Sequence, residues 1–124
     1  VEVDRNKLKG TINPEETDLI ITLGGDGTVL ASAKFTDQIP ILGVNTAPNV
    51  SVGRFCSCSA ETFDAQLQSI LSGKSEALSL MRLQIFINGV ALSDPALNDI
   101  LFASTHPAEI SKFSIKTKEK ECLN

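Results

Sequence analysis

Hydrophobic residues in the first part of the chain form short runs separated by a helical pattern. Residues 18–23 and 39–45 are apolar and rich in β-branched side chains, which is typical of strands buried on both faces of a sheet. From Thr28 the intervening residues have apolar positions at helical spacing, and this pattern ends before Thr36. A strand, a helix and a strand within about 30 residues predict a βαβ unit with a parallel sheet.

A second helix is predicted after an irregular stretch. Residues 46–59 lack periodicity and contain a proline and a glycine, which predicts a loop. Ser59 is a candidate N-cap, and Glu61 would place a carboxylate in the first turn, where it complements the helix dipole. The apolar positions that follow are spaced to form one face: Phe63, Leu67, Ile70 and Leu71. Gly73 is expected to end this helix.

The pattern changes to alternation after about residue 77. Residues 81–87 alternate in the period of a half-exposed strand, and Asn88-Gly89 favours a two-residue hairpin turn leading to a return strand at 90–92. Residues 96–103 and 110–117 are further strand candidates.

These elements predict an α/β fold followed by a mainly β region. We expect residues 1–77 to be the C-terminal part of an α/β nucleotide-binding domain built on a parallel sheet. Residues 78–124 would be the first strands of a β domain that the chain does not complete. A switch from alternating α and β elements to consecutive β elements often marks such a boundary.

Composition narrows the class of protein without naming a function. The chain is 42% apolar and 21% charged, as in ordinary globular proteins. Its net charge of -4 argues against a nucleic-acid partner, and no apolar run is long enough to span a membrane. The termini, without an initiator Met and ending in a charged run, suggest a segment of a longer protein.

The cysteines and the histidine argue against a metal site and favour reduced thiols. Cys56, Cys58 and Cys122 lack the spacing of a zinc site, and His106 is the only histidine. Reduced thiols are typical of intracellular proteins, so we expect an intracellular protein, cytoplasmic by default, with an organelle as the open alternative.

The strongest chemical signal is the glycine loop, residues 24–28, with the sequence Gly-Gly-Asp-Gly-Thr at the junction of strand and helix. Glycines let a phosphate approach the main chain, and the following helix offers free N–H groups to an anion. The Asp26 carboxylate would repel a phosphate, so a role that fits it is to accept a proton from an attacking hydroxyl. The alternative is a tight turn with an acidic N-cap. Neither the Walker ending nor the dinucleotide spacing is present.

Two further polar positions are candidates for nucleotide contacts. Asn98 and Asp99 interrupt an apolar run, and an acidic residue can hold ribose hydroxyls. A turn after Pro95 would explain them equally well. Asn45 ends the second predicted strand, where ligands bind in open α/β sheets, although an Asn there can also simply cap a turn.

Taken together, these motifs resemble the NAD kinase family. The marks in order are the glycine loop, Gly43-Val44-Asn45, Arg82 and Ala96-Leu97-Asn98-Asp99. Diacylglycerol kinases, sphingosine kinases and phosphofructokinases share the glycine loop, and it is the Asn98-Asp99 motif that narrows the choice. The stretch 111–114, Ser-Lys-Phe-Ser, is similar to the plant-type branch sometimes called NADH kinases.

The resemblance implies a two-domain enzyme with its active site between an α/β half and a β half. Such an enzyme transfers the γ-phosphate of ATP, with Mg²⁺, to the 2′-hydroxyl of the adenosine ribose of NAD or NADH. It implies small-molecule nucleotides as partners and a homo-oligomer. Since the charge and the apolar pattern argue against nucleic-acid and membrane partners, we expect neither, and no residue is a candidate metal ligand. Asp26 would be the general base. The nucleotide-binding residues would be Gly24, Gly25, Gly27 and Thr28 for the phosphates, Asn98 and Asp99 for the dinucleotide, and Asn45 as a further contact.

The chain also departs from the family pattern. Most members have Leu-Gly-Phe after the position of Asn45, whereas this chain has Arg54 between Gly53 and Phe55. A later glycine-rich motif that completes the nucleotide site is absent, so we expect the isolated segment to be inactive. Two alternatives stay open: a lipid kinase that shares the glycine loop, and a catalytically inactive nucleotide-binding module.

Overall fold

The chain folds into a parallel sheet with two helices, followed by a small antiparallel hairpin. The structure is a computed structural model that describes Asp4 and residues 12–106, 108–110 and 112–116. Its strands and α-helices are β1 Ile20–Leu23, α1 Asp26–Ala33, β2 Ile41–Asn45, β3 Cys58–Ser59, α2 Phe63–Leu71, β4 Phe86–Ile87 and β5 Val90–Ala91. Short 3-10 turns cover Pro14–Glu16 and Ala60–Thr62.

The predicted βαβ unit is confirmed. Strand β1 pairs in parallel with β2, with Ile21 opposite Leu42 and Leu23 opposite Val44, and α1 connects the two strands. The buried apolar residues come from these elements and the turn before β2: Val29, Ala33, Ile39, Leu42 and Val44. The core therefore lies where α1 and β2 meet, directly beside the glycine loop.

Gly43 allows two segments to approach the middle of β2 closely. A Cβ atom at this position would lie 2.9 Å from Cγ2 of Val29 and 2.8 Å from the carbonyl oxygen of Phe55. Any larger residue would push α1 or the following loop away from the sheet. The glycine thus brings the helix and the loop to the same strand.

Several boundaries differ from the predictions. Helix α1 begins at Asp26 rather than at Thr28, so the second half of the glycine loop is its first turn. A third parallel strand, β3, lies inside the stretch predicted to be a loop, where Cys58 pairs with Val44. Two residues are too few to show a strand period, so only pairing with β2 reveals this strand.

The second helix follows the prediction more closely. A 3-10 turn precedes it, and the helix runs Phe63–Leu71. Ser59 is the N-cap of this 3-10 turn, whereas Thr62 is the N-cap of α2, and the backbone N–H of Ser59 donates to Oγ1 of Thr62 at 3.0 Å. The Ser59 hydroxyl donates to the Glu61 carboxylate and thereby lowers the pKa of Glu61. Neither α1 nor α2 is long and apolar enough to cross a membrane, and no other helix in the described ranges is.

The hairpin is confirmed, and two strand predictions are wrong where the structure describes them. Strands β4 and β5 pair antiparallel around Asn88 and Gly89, which have φ angles of 51° and 81°, although β4 covers only the last two residues of the predicted strand 81–87. Within 96–103 the only ladder contact described is one bridge between Ala96 and Leu83. Described residues 110 and 112–116 contain no strand, while Ser111 and the stretch beyond 116, including Cys122, lie outside the described residues. An apolar segment does not form a strand by composition alone, because the backbone of a strand needs a neighbouring strand for its hydrogen bonds.

The α/β class followed by a β region is therefore confirmed. A parallel sheet with helices is followed along the chain by an antiparallel one.

Replacing Leu42 with Ala should lower the free energy of unfolding by about 2–5 kcal/mol, because the residue is only 2% exposed in β2. Urea denaturation measures this loss. Leu71→Ala is the matched control, since Leu71 is 70% exposed at the end of α2 and should change the stability by less than about 0.5 kcal/mol. Equal losses in the two variants would contradict the position of the core.

Candidate functional site

The glycine loop forms a tight passage from β1 into α1. Gly24 has a φ of +152°, and a Cβ atom there would collide with Oγ1 of Thr28. Its N–H donates to the carbonyl of Val44 at 3.0 Å, which ties the loop to the end of β2. Gly25 is the N-cap and supplies no side-chain hydrogen bond to the first turn. The N-terminus of α1 is therefore not capped by a side chain of its own N-cap residue, and helix N-termini of this kind attract anions.

Asp26 binds the loop that follows β2, which we call the 46–57 loop. Its Oδ1 accepts a hydrogen bond from the backbone N–H of Phe55 at 2.7 Å, and its Oδ2 accepts one from the N–H of Arg54 at 3.0 Å. Asp26 lies inside the first turn of α1 and is not its N-cap. The alternative of a simple acidic N-cap therefore does not describe this carboxylate, which anchors a loop 28 residues further along the chain.

Asn45 holds the other end of the same loop. Its Oδ1 accepts from the N–H of Ala47 at 3.0 Å, and its Nδ2 donates to the carbonyl of Ser51 at 2.8 Å. The side chain is 5% exposed. In this structure Asn45 caps a turn, as one of the two sequence interpretations proposed.

The middle of the 46–57 loop passes directly over the glycine loop. A Cβ atom on Gly25 would lie 3.2 Å from Oγ of Ser51, and the Cys56 thiol donates to the Gly24 carbonyl at 3.6 Å. Gly53 has a φ of +61°, and a Cβ atom there would lie 2.5 Å from Nδ2 of Asn45. Glycine is thus required at 53 both by the backbone angle and by the packed amide.

Both described cysteines are free and stay protonated at neutral pH. Burial raises the pKa of the Cys56 thiol, and repulsion by the Asp26 carboxylate raises it further. Burial likewise raises the pKa of Cys58, whose thiol donates to the Gly43 carbonyl at 3.8 Å. In the described ranges, no group of three or more histidine, cysteine or acidic residues could hold a metal ion.

Asn98 and Asp99 lie on a different part of the surface. They are exposed and contribute to a cleft of about 400 Å³ whose other wall is the second half of α1. The lining residues are Leu30, Ala33, Lys34, Arg82, Asp94, Pro95, Ala96, Leu97, Asn98 and Asp99. No residue of the glycine loop is among them, so the two predicted parts of the site meet opposite ends of α1, which is about 12 Å long for its eight residues.

Sequence reasoning missed the groups that complete the glycine loop. The backbone N–H groups of Arg54 and Phe55 bind Asp26, but a backbone amide has no residue-type signature. Ser51 was also missed, and nothing in its surroundings in the sequence marks it. Gly53 is the one available signal, because an isolated glycine in an irregular stretch indicates a special backbone angle or a close approach.

Comparison with known protein families identifies the family to which the chain belongs. The family described as the ATP-NAD kinase N-terminal domain matches residues 4–75, which is more than half of the chain. The chain belongs to the NAD kinase family. The glycine loop, Asn45 and the 46–57 loop all lie inside the matched residues, whereas Asn98 and Asp99 lie beyond them.

Individual relatives agree with this family. The chain is 34% identical over 134 residues to a probable NADH kinase of Oryza sativa subsp. japonica, covering 95% of this chain and 41% of the relative. It is 36% identical to an NAD kinase of Methanosarcina mazei, covering 88% of this chain and 36% of that protein. An NADH kinase of Arabidopsis thaliana is 36% identical over 73% of this chain and 33% of its own length. The chain thus spans less than half of each, and no solved structure matches it significantly.

Replacing Gly53 with Ala should destabilise the fold more than replacing Gly73 with Ala. Both glycines have positive φ angles, +61° and +69°, but a Cβ on Gly73 meets nothing within 4 Å. Both variants take on the left-handed strain of about 1–2 kcal/mol. Gly53→Ala also crowds the buried amide of Asn45, which should cost about 1–3 kcal/mol more. Urea denaturation of both variants measures the difference, and equal losses would show that Asn45 is not packed against Gly53.

Proposed function

We propose that the whole protein is an NAD(H) kinase, which transfers the γ-phosphate of ATP to the 2′-hydroxyl of the adenosine ribose of NAD or NADH. The observation that carries this proposal is the Asp26 carboxylate in the first turn of α1, held within a glycine loop by two backbone amides. Membership of the NAD kinase family supports the substrates. The plant and archaeal relatives are themselves named NADH kinase and NAD kinase.

The phosphates of the nucleotides would bind at the glycine loop. Gly24, Gly25 and Gly27 carry no side chain that would keep a phosphate from the backbone, and Gly25 leaves the first turn of α1 without a side-chain cap. A helix N-terminus adds a partial positive charge. Thr28 follows in the same turn, with its hydroxyl next to Gly24.

Asp26 would act as the general base. The 2′-oxygen forms a bond to the γ-phosphorus while the bond from that phosphorus to the bridging oxygen of ADP breaks, and the hydroxyl proton passes to a carboxylate oxygen of Asp26. Each oxygen of an ionised carboxylate has two acceptor positions. The amides of Arg54 and Phe55 use one on each oxygen, so an acceptor position remains for the proton, and the two bonds fix the orientation of the carboxylate.

Mg²⁺ would enter with ATP. In kinases the ion is commonly held by one or two carboxylates together with substrate phosphates and water, and the described ranges contain no cluster of three or more ligating side chains. We therefore assign no residue of this chain to the metal, and no step depends on its position.

The dinucleotide would be held by Asn98 and Asp99 at the cleft beside α1. Both side chains are exposed there, and an acidic group can accept hydrogen bonds from ribose hydroxyls. Asn45 would contribute by shaping the 46–57 loop. Direct contact with the ligand would use the second hydrogen of its amide or the second acceptor position of its oxygen, since Ser51 and Ala47 each bind only one position.

The remaining expectations stay predictions. The family match ends at residue 75, close to the predicted boundary at 77, which supports division into 1–77 and 78–124. A homo-oligomer, an intracellular location and negligible activity of the isolated chain are tested by none of these observations. No contact in the described residues favours a lipid acceptor or an inactive module.

An acceptor assay tests the proposal against its alternatives. The purified whole protein is incubated with ATP and Mg²⁺ and with NAD, NADH or diacylglycerol in parallel. We expect NADP or NADPH to form and diacylglycerol to stay unmodified. Phosphorylation of diacylglycerol alone would establish the lipid kinase, and nucleotide binding without turnover on any acceptor would establish the inactive module.

Asp26→Asn in the whole protein should lower kcat by about 100-fold to 10,000-fold, the contribution typical of a general base. The amide of the variant still offers an oxygen to one loop N–H, so we expect the fold to survive, as measured by circular dichroism and thermal unfolding. Asp64→Asn is the matched control, because Asp64 occupies the first turn of α2 and should leave kcat unchanged. A near-normal kcat in Asp26→Asn would rule out Asp26 as the base.

A further inference from the structure

Arg82 binds the C-terminal end of α1 from the other half of the chain. Its Nη1 donates to the carbonyl of Ala33 at 2.7 Å, and its Nη2 donates to the carbonyl of Thr36 at 2.6 Å. Ala33 is the last residue of α1. The final carbonyls of a helix lack partners within the helix, and a cation there also complements the helix dipole. The guanidinium thus satisfies two acceptors with one planar group, which a lysine cannot copy.

The residue after Arg82 is paired with the segment that carries the Asn-Asp motif. Leu83 donates its N–H to the Ala96 carbonyl at 2.8 Å, and Ala96 donates back to the Leu83 carbonyl at 2.9 Å. Asn98 follows Ala96 by two residues. A short, hydrogen-bonded route therefore runs from the end of α1 through Arg82 and Leu83 to Asn98 and Asp99.

This route ties the two predicted halves of the site to opposite ends of one helix, α1. The glycine loop forms the N-terminal turn of α1, and Arg82 holds the C-terminal turn of the same helix. Arg82 also lines the cleft that contains Asn98 and Asp99. Its nearest hydrogen-bond partners are backbone carbonyls, and the acidic side chains in that cleft, Asp94 and Asp99, are not bonded to it. Its contacts are thus suited to fixing a distance between segments.

We propose that Arg82 is a positioning residue, which fixes the Asn98–Asp99 segment against α1 so that the bound dinucleotide reaches the glycine loop. This inference rests on the proposed NAD(H) kinase function and adds a determinant of how the dinucleotide is placed. Arg82 acts through Asn98 and Asp99, and touches neither the phosphates nor the reacting hydroxyl.

The test is steady-state kinetics of the whole protein with Arg82→Ala, Arg82→Lys and wild type. We expect Arg82→Ala to raise the KM for NAD or NADH by about tenfold or more, as expected for lost charge-assisted hydrogen bonds. The KM for ATP should change little, because the phosphate-binding residues are at the other end of α1. Arg82→Lys should recover part of the loss. Lys74→Ala is the control. It removes an exposed cation after α2 and should change neither the KM for the dinucleotide nor the KM for ATP.

A double-mutant cycle separates positioning from a merely structural role. Asn98→Ala is measured alone and together with Arg82→Ala. If Arg82 acts by placing Asn98, the combined rise in KM for the dinucleotide is smaller than the product of the single rises. A combined rise equal to that product overturns the proposal. An equal rise in the KM for ATP also overturns it.

Two further outcomes are decisive. If Arg82→Ala does not fold, the same cycle is run with Arg82→Lys, which keeps a cation at the end of α1. A wild-type protein that phosphorylates neither NAD nor NADH overturns the proposed function and this inference together. An active wild type with an unchanged dinucleotide KM in both Arg82 variants overturns the inference alone.

Discussion

The Asp26 carboxylate and the two backbone amides that it binds determine how this half of the molecule is arranged. Because one oxygen binds Phe55 and the other binds Arg54, the 46–57 loop is held at its far end against the first turn of α1. Asn45 holds the near end through Ala47 and Ser51. A loop tied at both ends can pass over the glycine loop, and it reaches β3 in register with β2.

The glycines make this arrangement sterically possible. Gly43 gives α1 and the loop access to β2, and Gly53 lets the chain turn beside the amide of Asn45. The same carboxylate that would accept a proton in the reaction therefore also fixes the wall of its own site. Anchoring and base chemistry are compatible here, because the loop amides leave acceptor positions free on the carboxylate.

Helix α1 organises the site from its two ends. Its first turn presents the glycine loop, and its last turn meets Arg82. A helix of eight residues is stiff, so the distance between the glycine loop and the Asn98–Asp99 cleft is set by its length. The NAD kinase family match covers the whole of α1 and stops before Arg82, Asn98 and Asp99. The hydrogen bonds of Arg82 are what join these residues to α1.

The sequence alone determined the βαβ unit, the second helix, the hairpin and the family. The first three follow from local signals, namely the period of apolar residues and the Asn88-Gly89 turn. The family follows from the glycine loop taken together with the Asn98-Asp99 motif further along the chain. Tertiary structure alone decided which groups meet. β3 exists because β2 lies beside it, the apolar residues of 97–103 form no strand because they lack a paired neighbour, and Asn98 stands apart from Asp26. The amides of Arg54 and Phe55, and the carbonyls bound by Arg82, have no side-chain signature. Contacts of backbone groups between distant segments depend on how the elements pack, and a linear pattern does not encode that directly.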